Sequence, residues 1–172
     1  MKLNYEIKLE DYIAFNMNFI DTSKAMKRSL LVQRFLFPLI FLVLAKFLQP
    51  ILEISLIPLM IIMSAIVVVW MAFYDKWYRK SIKRKISKLI ESGKVPGLIG
   101  KHELLVDATQ ISDKTKESFT YYNTVDKVNE TKTHVFVYVS QVMAYIVPKT
   151  AFESDSDKES FIEMASKLKP LK

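Results

Sequence analysis

The chain has 172 residues, 51% of them hydrophobic, with 25 Lys/Arg against 18 Asp/Glu, a formal net charge of +7 and no cysteine. That length allows one modest domain beside a membrane anchor, and the missing cysteines exclude disulfides, thiolate nucleophiles and cysteine-based metal sites. Charge is uneven: residues 99–172 hold 10 Lys/Arg and 11 Asp/Glu, leaving 15 and 7 before them. The basic excess therefore belongs to the apolar half, which favours topology or anionic lipid over nucleic acid as its explanation.

Residues 1–9 alternate, with Leu3, Tyr5, Ile7 and Leu9 on one side and Asn4, Glu6 and Lys8 on the other. Period two predicts a half-buried strand. A lone N-terminal strand needs a sheet to join, and the only other strand-rich region begins near residue 99. The expectation is a split domain, with the apolar segment inserted between its parts. From Glu10 the period becomes helical: Glu10 and Asp11 suit a first turn, and Tyr12, Phe15, Phe19 and Ile20 form one apolar stripe. The first 29 residues carry acids, aromatics and lysines before any apolar run. They do not resemble a cleavable signal peptide, so the anchor is expected to persist.

Residues 54–74 form an uncharged stretch of 21 residues. At about 1.5 Å per residue, such a helix crosses a hydrocarbon core of about 30 Å. Trp70 and Tyr74 lie at the end that suits an interface. A weaker apolar run covers residues 30–48, with Arg34 and Lys46 near its ends and Pro38 inside. Both cations could snorkel to opposite interfaces, and a re-entrant helix is the competing reading. Only residues 49–53 separate the runs, with Pro50 expected to stop the first, so the two form an antiparallel hairpin. Lys24, Lys27, Arg28 and Arg34 flank one open end and Lys76, Arg79, Lys80, Lys83, Arg84, Lys85 and Lys88 the other. The positive-inside rule puts both termini in the cytoplasm, in a multi-pass protein of the cell membrane.

Residues 75–92 read as a basic helix with an apolar stripe of Tyr78, Ile82, Ile86, Leu89 and Ile90, ended by Gly93, Pro96 and Gly97. Lys76, Arg79, Lys80, Lys83, Arg84, Lys85 and Lys88 are the candidate contacts to anionic lipid. Each is worth about 1 kcal/mol near an anionic leaflet. The plainer reading gives these charges only the task of fixing topology. Trp77 and Tyr78 among them fit an interfacial aromatic belt better than nucleic acid.

Strand-like runs follow at 101–106, 110–113, 117–122, 125–130, 134–140 and 142–147, separated at hairpin distances. A closing amphipathic helix carries Phe161, Met164, Ala165 and Leu168 on one face, with Ser156 and Glu159 as an expected capping box. Strands followed by one helix predict an α+β domain, the helix packed on a bent antiparallel sheet. The expected division is a strand and amphipathic helix over 1–29, a transmembrane hairpin over 30–74, a basic helix and linker over 75–97, and the C-terminal domain over 98–172.

The chain resembles the YcxB-like family of bacterial membrane proteins. The resemblance rests on Tyr5-Glu6-Ile7, on residues 10–16, on the apolar hairpin, on residues 98–104, and on Val137-Tyr138-Val139-Ser140. Its sharpest piece is Pro148-Lys149 followed by Phe152. Where that family shows a tryptophan before its fourth strand, Tyr121 and Tyr122 stand here. The resemblance implies a pleckstrin-homology-like (PH-like) C-terminal domain on a two-helix anchor, and no activity. Specific phosphoinositide binding is not expected, because loop 107–110 offers Asp107 and no cation.

Catalysis finds little support. His102 and His134, the only histidines, lack metal-ligand spacing, and Gly93, Gly97 and Gly100 open no phosphate loop. His102 is expected to donate to a sheet-edge or loop carbonyl. Tyr121, Tyr122, Tyr138 and Tyr145 read first as sheet surface or filling, second as a peptide platform. The expected function is a non-enzymatic, membrane-anchored interaction module without cofactor or metal. It would present its domain at the cytoplasmic face to a membrane or cytoplasmic protein, with nonspecific contact to anionic lipid. The alternative is an accessory or immunity-type subunit acting through its helices on a transporter or other membrane protein.

Overall fold

The computed structural model describes residues 1–93, 97–116 and 118–168. Pro96 and Glu117, expected to end the basic helix and to open a strand, lie outside them. The chain divides into two compact units, residues 1–16 with 87–172, and residues 17–86.

In the first unit, β1 (Lys2–Ile7) pairs antiparallel with β2 (Gly100–Val106), placing Leu3 beside Leu104 and Tyr5 beside His102. The split domain expected from the alternation is thus present. β3 (Ile111–Thr115) and β4 (Phe119–Tyr122) complete a sheet of order β1-β2-β3-β4. A second antiparallel sheet holds β5 (Lys127–Glu130), β6 (His134–Tyr138) and β7 (Ala144–Pro148). Period two turns Leu3, Leu104, Val106 and Ile111 of one sheet and Val135, Val137 and Val147 of the other into a common core. Phe161, Ala165 and Leu168, from α5 (Asp155–Lys167) and its C-cap, join that core, each at most 5% exposed. The architecture is α+β with antiparallel sheets, as expected.

Strand ends depart from the sequence reading where backbone groups find other partners. The expected strand 125–130 starts at Lys127, because the Val125 N–H donates to the Leu168 carbonyl at 2.8 Å. The expected strand 134–140 stops at Tyr138, because the Val139 and Ser140 N–H groups turn to the Met143 carbonyl. Helix α5 begins earlier than expected: Ser154, not Ser156, is its N-cap and accepts from the Asp157 N–H at 3.1 Å. β6 is buried on both faces. Its second face is covered by α1 (Leu9–Thr22), whose Phe15 ring lies 5.8 Å from Phe136 and 5.9 Å from Tyr138.

The second unit is helical. α2 (Lys24–Leu31) runs through a π turn at Val32–Leu36 and a 3-10 turn at Phe37–Leu39 into α3 (Ile40–Leu52). Pro38 has no N–H for the carbonyl four residues back, so the helix changes pitch there without ending. Pro50, expected to stop the helix, lies inside the last turn of α3; Glu53, at φ +53°, ends it. α4 then runs unbroken for 36 residues, Leu56–Glu91, so the uncharged stretch and the basic helix are one element. The Trp70 indole donates to the Gln33 carbonyl at 3.2 Å, Tyr74 bonds the Gln33 side chain, and Arg34 Nε donates to the Met71 carbonyl at 2.8 Å. Gln33 and Tyr74 lie about equally far from Glu53 along the chain, so the helices are antiparallel. Arg34 is thereby turned onto α4 rather than outward.

Two helical stretches, Lys24–Leu52 and Leu56–Glu91, are long and apolar enough to cross a membrane. Their most apolar windows are only 11% buried, whereas a core helix of a soluble protein is mostly buried. Ile51 and Ile57, each 74% exposed, and Phe47 at 65% show the character of that surface.

The β1 contribution is testable. Leu3→Ala should destabilise the chain by about 2–5 kcal/mol, the cost of truncating a buried leucine. Leu105→Ala, on the outer face of β2, should stay within about 0.5 kcal/mol. Urea unfolding of the full chain in detergent micelles measures both; equal effects would remove β1 from the core.

Candidate functional site

The inward positions at one end of the four-stranded sheet are not all apolar. On β2, period two puts His102 in phase with Leu104 and Val106; on β3 it puts Asp113 in phase with Ile111. Register places Asp113 beside Leu104 and Thr120, one step diagonal from His102. His102 Nδ1 lies 2.7 Å from Asp113 Oδ2, and the two side chains are 5% and 10% exposed. At that distance Nδ1 carries the proton and donates to the carboxylate. The other two polar atoms, His102 Nε2 and Asp113 Oδ1, are buried with no hydrogen-bond partner. Buried polar atoms are nearly always satisfied, so an unsatisfied pair side by side calls for a reason.

The expectation that His102 donates to a backbone carbonyl is corrected: it donates to a carboxylate across the β2–β3 hairpin. The pair is separated by 11 residues and cannot be seen in local motif spacing. The inward phase of both residues was the signal that could have revealed it.

Rings surround the pair. Tyr5 stacks on His102 with centroids 5.8 Å apart and planes 13° from parallel. Tyr145 bonds Thr120 through its hydroxyl at 3.2 Å and meets Tyr122 edge-on at 6.1 Å. Together with Phe15 and Tyr12 they line a cavity of about 280 Å³, whose further wall includes Ile7, Val142, Met143 and Ile146. Among the described residues, Asp113 and His102 are the only ones in that lining with an acidic, basic or imidazole side chain. Burial, with the Asp113 charge second, holds the Tyr5 phenol well above its ordinary value. Burial likewise pushes Tyr145 up to about 12.

His134 is a contrast. Its Nε2 lies 2.9 Å from Asp11 Oδ1, its Nδ1 2.8 Å from the Thr133 hydroxyl, and its ring stacks on Phe136. Asp11 also accepts the Lys8 N–H at 2.7 Å, so this histidine pins the first turn of α1 to β6. Both ring nitrogens have partners, which makes His134 a structural residue. Among the described residues no group of three His, Asp or Glu could hold a metal ion.

The basic residues expected to meet lipid all lie on α4. Lys76, Lys80, Lys83, Arg84, Lys85 and Lys88 are exposed. Arg79 is different: it bonds Asp21 at 2.6 Å and Asp75 at 3.0 Å, so its charge is already matched within the helical unit. Of the expected apolar stripe, Tyr78, Ile82 and Ile90 are half-buried and Ile86 is buried, whereas Leu89 is exposed. In the β2–β3 turn, Asp107 Oδ1 accepts from the Thr109 N–H, the Thr109 hydroxyl and the Gln110 N–H. Those donors, the Thr109 backbone first, hold its carboxyl below the ordinary value. The acid is used to fold the turn.

The raised tyrosines predict a pH dependence. A phenol whose folded pKa exceeds its unfolded value of 10.0 stabilises the fold fully below pH 10. That stability is lost as pH climbs from 10 towards the folded value. Titration of tyrosinate absorbance should therefore show a late-titrating group that disappears in Tyr145→Phe, and unfolding should ease above pH 10. A difference titration centred on the ordinary phenol value would place Tyr145 in solvent.

No curated protein and no solved structure matches the chain. The family model described as YcxB-like protein matches residues 107–165, so the segment from the β2–β3 turn into α5 is similar to that family, as the sequence resemblance implies.

Proposed function

We propose that this is a multi-pass membrane protein whose two apolar helical stretches anchor a PH-like domain at the cytoplasmic face of the cell membrane. The observation that carries the reading is the apolar exterior of the hairpin, which is costly in water and matched in lipid. The PH-like assignment is supported by four plus three antiparallel strands with a C-terminal helix closing the core. Its first strand comes from before the anchor rather than after it. Orientation follows from the basic residues at both open ends of the hairpin, Lys24, Lys27 and Arg28 on one and the α4 cations on the other. The exposed α4 cations would also attract anionic headgroups, within a Debye length of about 8–10 Å.

The module acts by holding a protein partner. β4 is an edge strand of the four-stranded sheet, and its outer face carries Phe119 and Tyr121, 61% and 60% exposed, with rings 6.3 Å apart. An edge with unpaired backbone groups and aromatic side chains suits an added strand.

Because the chain has no native cysteine, single replacements report topology without background. An impermeant thiol reagent on intact spheroplasts should label Ser55→Cys, in the hairpin turn, and spare Lys158→Cys until the membrane is opened. The reverse pattern would invert the orientation. Equal labelling of both in intact cells would dismiss the transmembrane reading. For the partner, a photo-crosslinking residue at Tyr121 should give a discrete adduct that the same residue at Leu105 does not; adducts at neither or at both would remove the β4 edge from the account.

A further inference from the structure

We propose that the cavity lined by His102 and Asp113 is a binding site for a small organic cation, an aromatic or aliphatic ammonium or guanidinium compound. This is independent of what the β4 edge or the hairpin does. A carboxylate more than about nine-tenths removed from solvent must be neutralised or fully hydrogen-bonded. Asp113 is bonded through Oδ2 alone, and its Oδ1 has no donor. His102 Nε2 is likewise buried without a partner. Asp113 lines the cavity with one oxygen that no donor meets, and a positive group carrying N–H donors complements such a wall.

The walls agree with that charge. Five aromatic rings, from Tyr5, Tyr12, Phe15, Tyr122 and Tyr145, line the space, and among the described residues no lysine or arginine does. The faces of such rings attract cations, most strongly where water is excluded. An anion would meet Asp113 with no lysine or arginine of the described lining to offset it. At about 280 Å³ the cavity equals about nine water volumes, the size of a compound with roughly ten non-hydrogen atoms. The rim at Val142 and Met143, 62% and 51% exposed, and the wall at Ile7 and Ile146 would hold the apolar body. Nucleophilic catalysis of the Ser-His-Asp kind is not what the pair is set up for, because Nε2 has no hydroxyl bonded to it.

The test uses the full chain in lipid nanodiscs, with empty nanodiscs as the blank. Phenethylammonium is compared with 2-phenylethanol and phenylacetate, which keep the ring and change the head from cation to neutral to anion. Calorimetry should show saturable binding of the cation, at least about tenfold tighter than the alcohol, and none of phenylacetate. Asp113→Asn, which keeps the shape, should weaken the cation by at least about tenfold. Met143→Trp, which fills the space without touching the pair, should abolish binding. Imidazole spectra add an internal control: the cation should move the His102 resonances and leave those of His134 in place. If Asp113→Asn fails to fold, the Met143→Trp result and the His102 shift decide. Equal binding of the alcohol, unchanged affinity in either folded variant, a cation that moves neither histidine, or no saturable binding of phenethylammonium would each overturn the proposal.

Discussion

The pairing of β1 with β2 is the constraint on which the rest of the first unit depends. It joins residues 2–7 to residues 100–106 across an insertion that holds all of the helical unit. Closing a flexible loop of that length costs about 4 kcal/mol in chain entropy, growing only slowly with length. The compensation is local and apolar: Leu3, opposite the core residue Leu104, is 6% exposed, and Ile7 is 4% exposed. Without β1, β2 would be an unpaired edge beside the core, and Tyr5 would not cover His102. The apolar helical unit is thus inserted in the sequence of a folded domain rather than appended to it.

Several elements were legible in the sequence because each rests on a period or a composition. Leu3, Tyr5 and Ile7 alternate, and they do line the inner side of β1. The uncharged stretch 54–74 lies within α4, and the six strand-like runs after residue 99 all correspond to strands. What failed was governed by competition between partners. Ser154 and Ser156 both precede acids, and only the three-dimensional start of α5 decides which one caps. Pro50 reads as a helix stop, yet it sits in the last turn of a helix that Glu53 ends. Residues 75–92, read as a basic helix, do continue the apolar stretch, since nothing in them breaks a helix and α4 runs through to Glu91.

The site was less legible than the fold. The sequence reading weighed His102 alone, as a local motif without local support, and gave Asp113 no role beyond ending a strand. Their pairing is a property of the β2–β3 register, and the cavity also needs Phe15 from α1 and Met143 from the β6–β7 turn. By contrast the α4 cations were found immediately, since they are consecutive in sequence. Arg79 shows the limit of that reading: as part of a basic run it looks equivalent to Lys80, but its guanidinium is held between Asp21 and Asp75. Its two ion pairs, which are not visible in the run of charges, set it apart.

The split-domain architecture stands or falls on the β1–β2 register, which oxidative crosslinking reads directly in the cysteine-free chain. Asn4 and Glu103 are directly opposed, whereas Asn4 and Lys101 are diagonal. Opposed positions lie about 4.5–5.5 Å apart and diagonal ones about 7–8 Å, beyond the usual reach of a disulfide. The double replacement Asn4→Cys with Glu103→Cys should therefore form an intramolecular disulfide in membranes under mild oxidation. Asn4→Cys with Lys101→Cys should remain reduced. Crosslinking of the diagonal pair alone would mean a shifted register, and crosslinking of neither would mean that the N-terminal strand does not belong to this sheet.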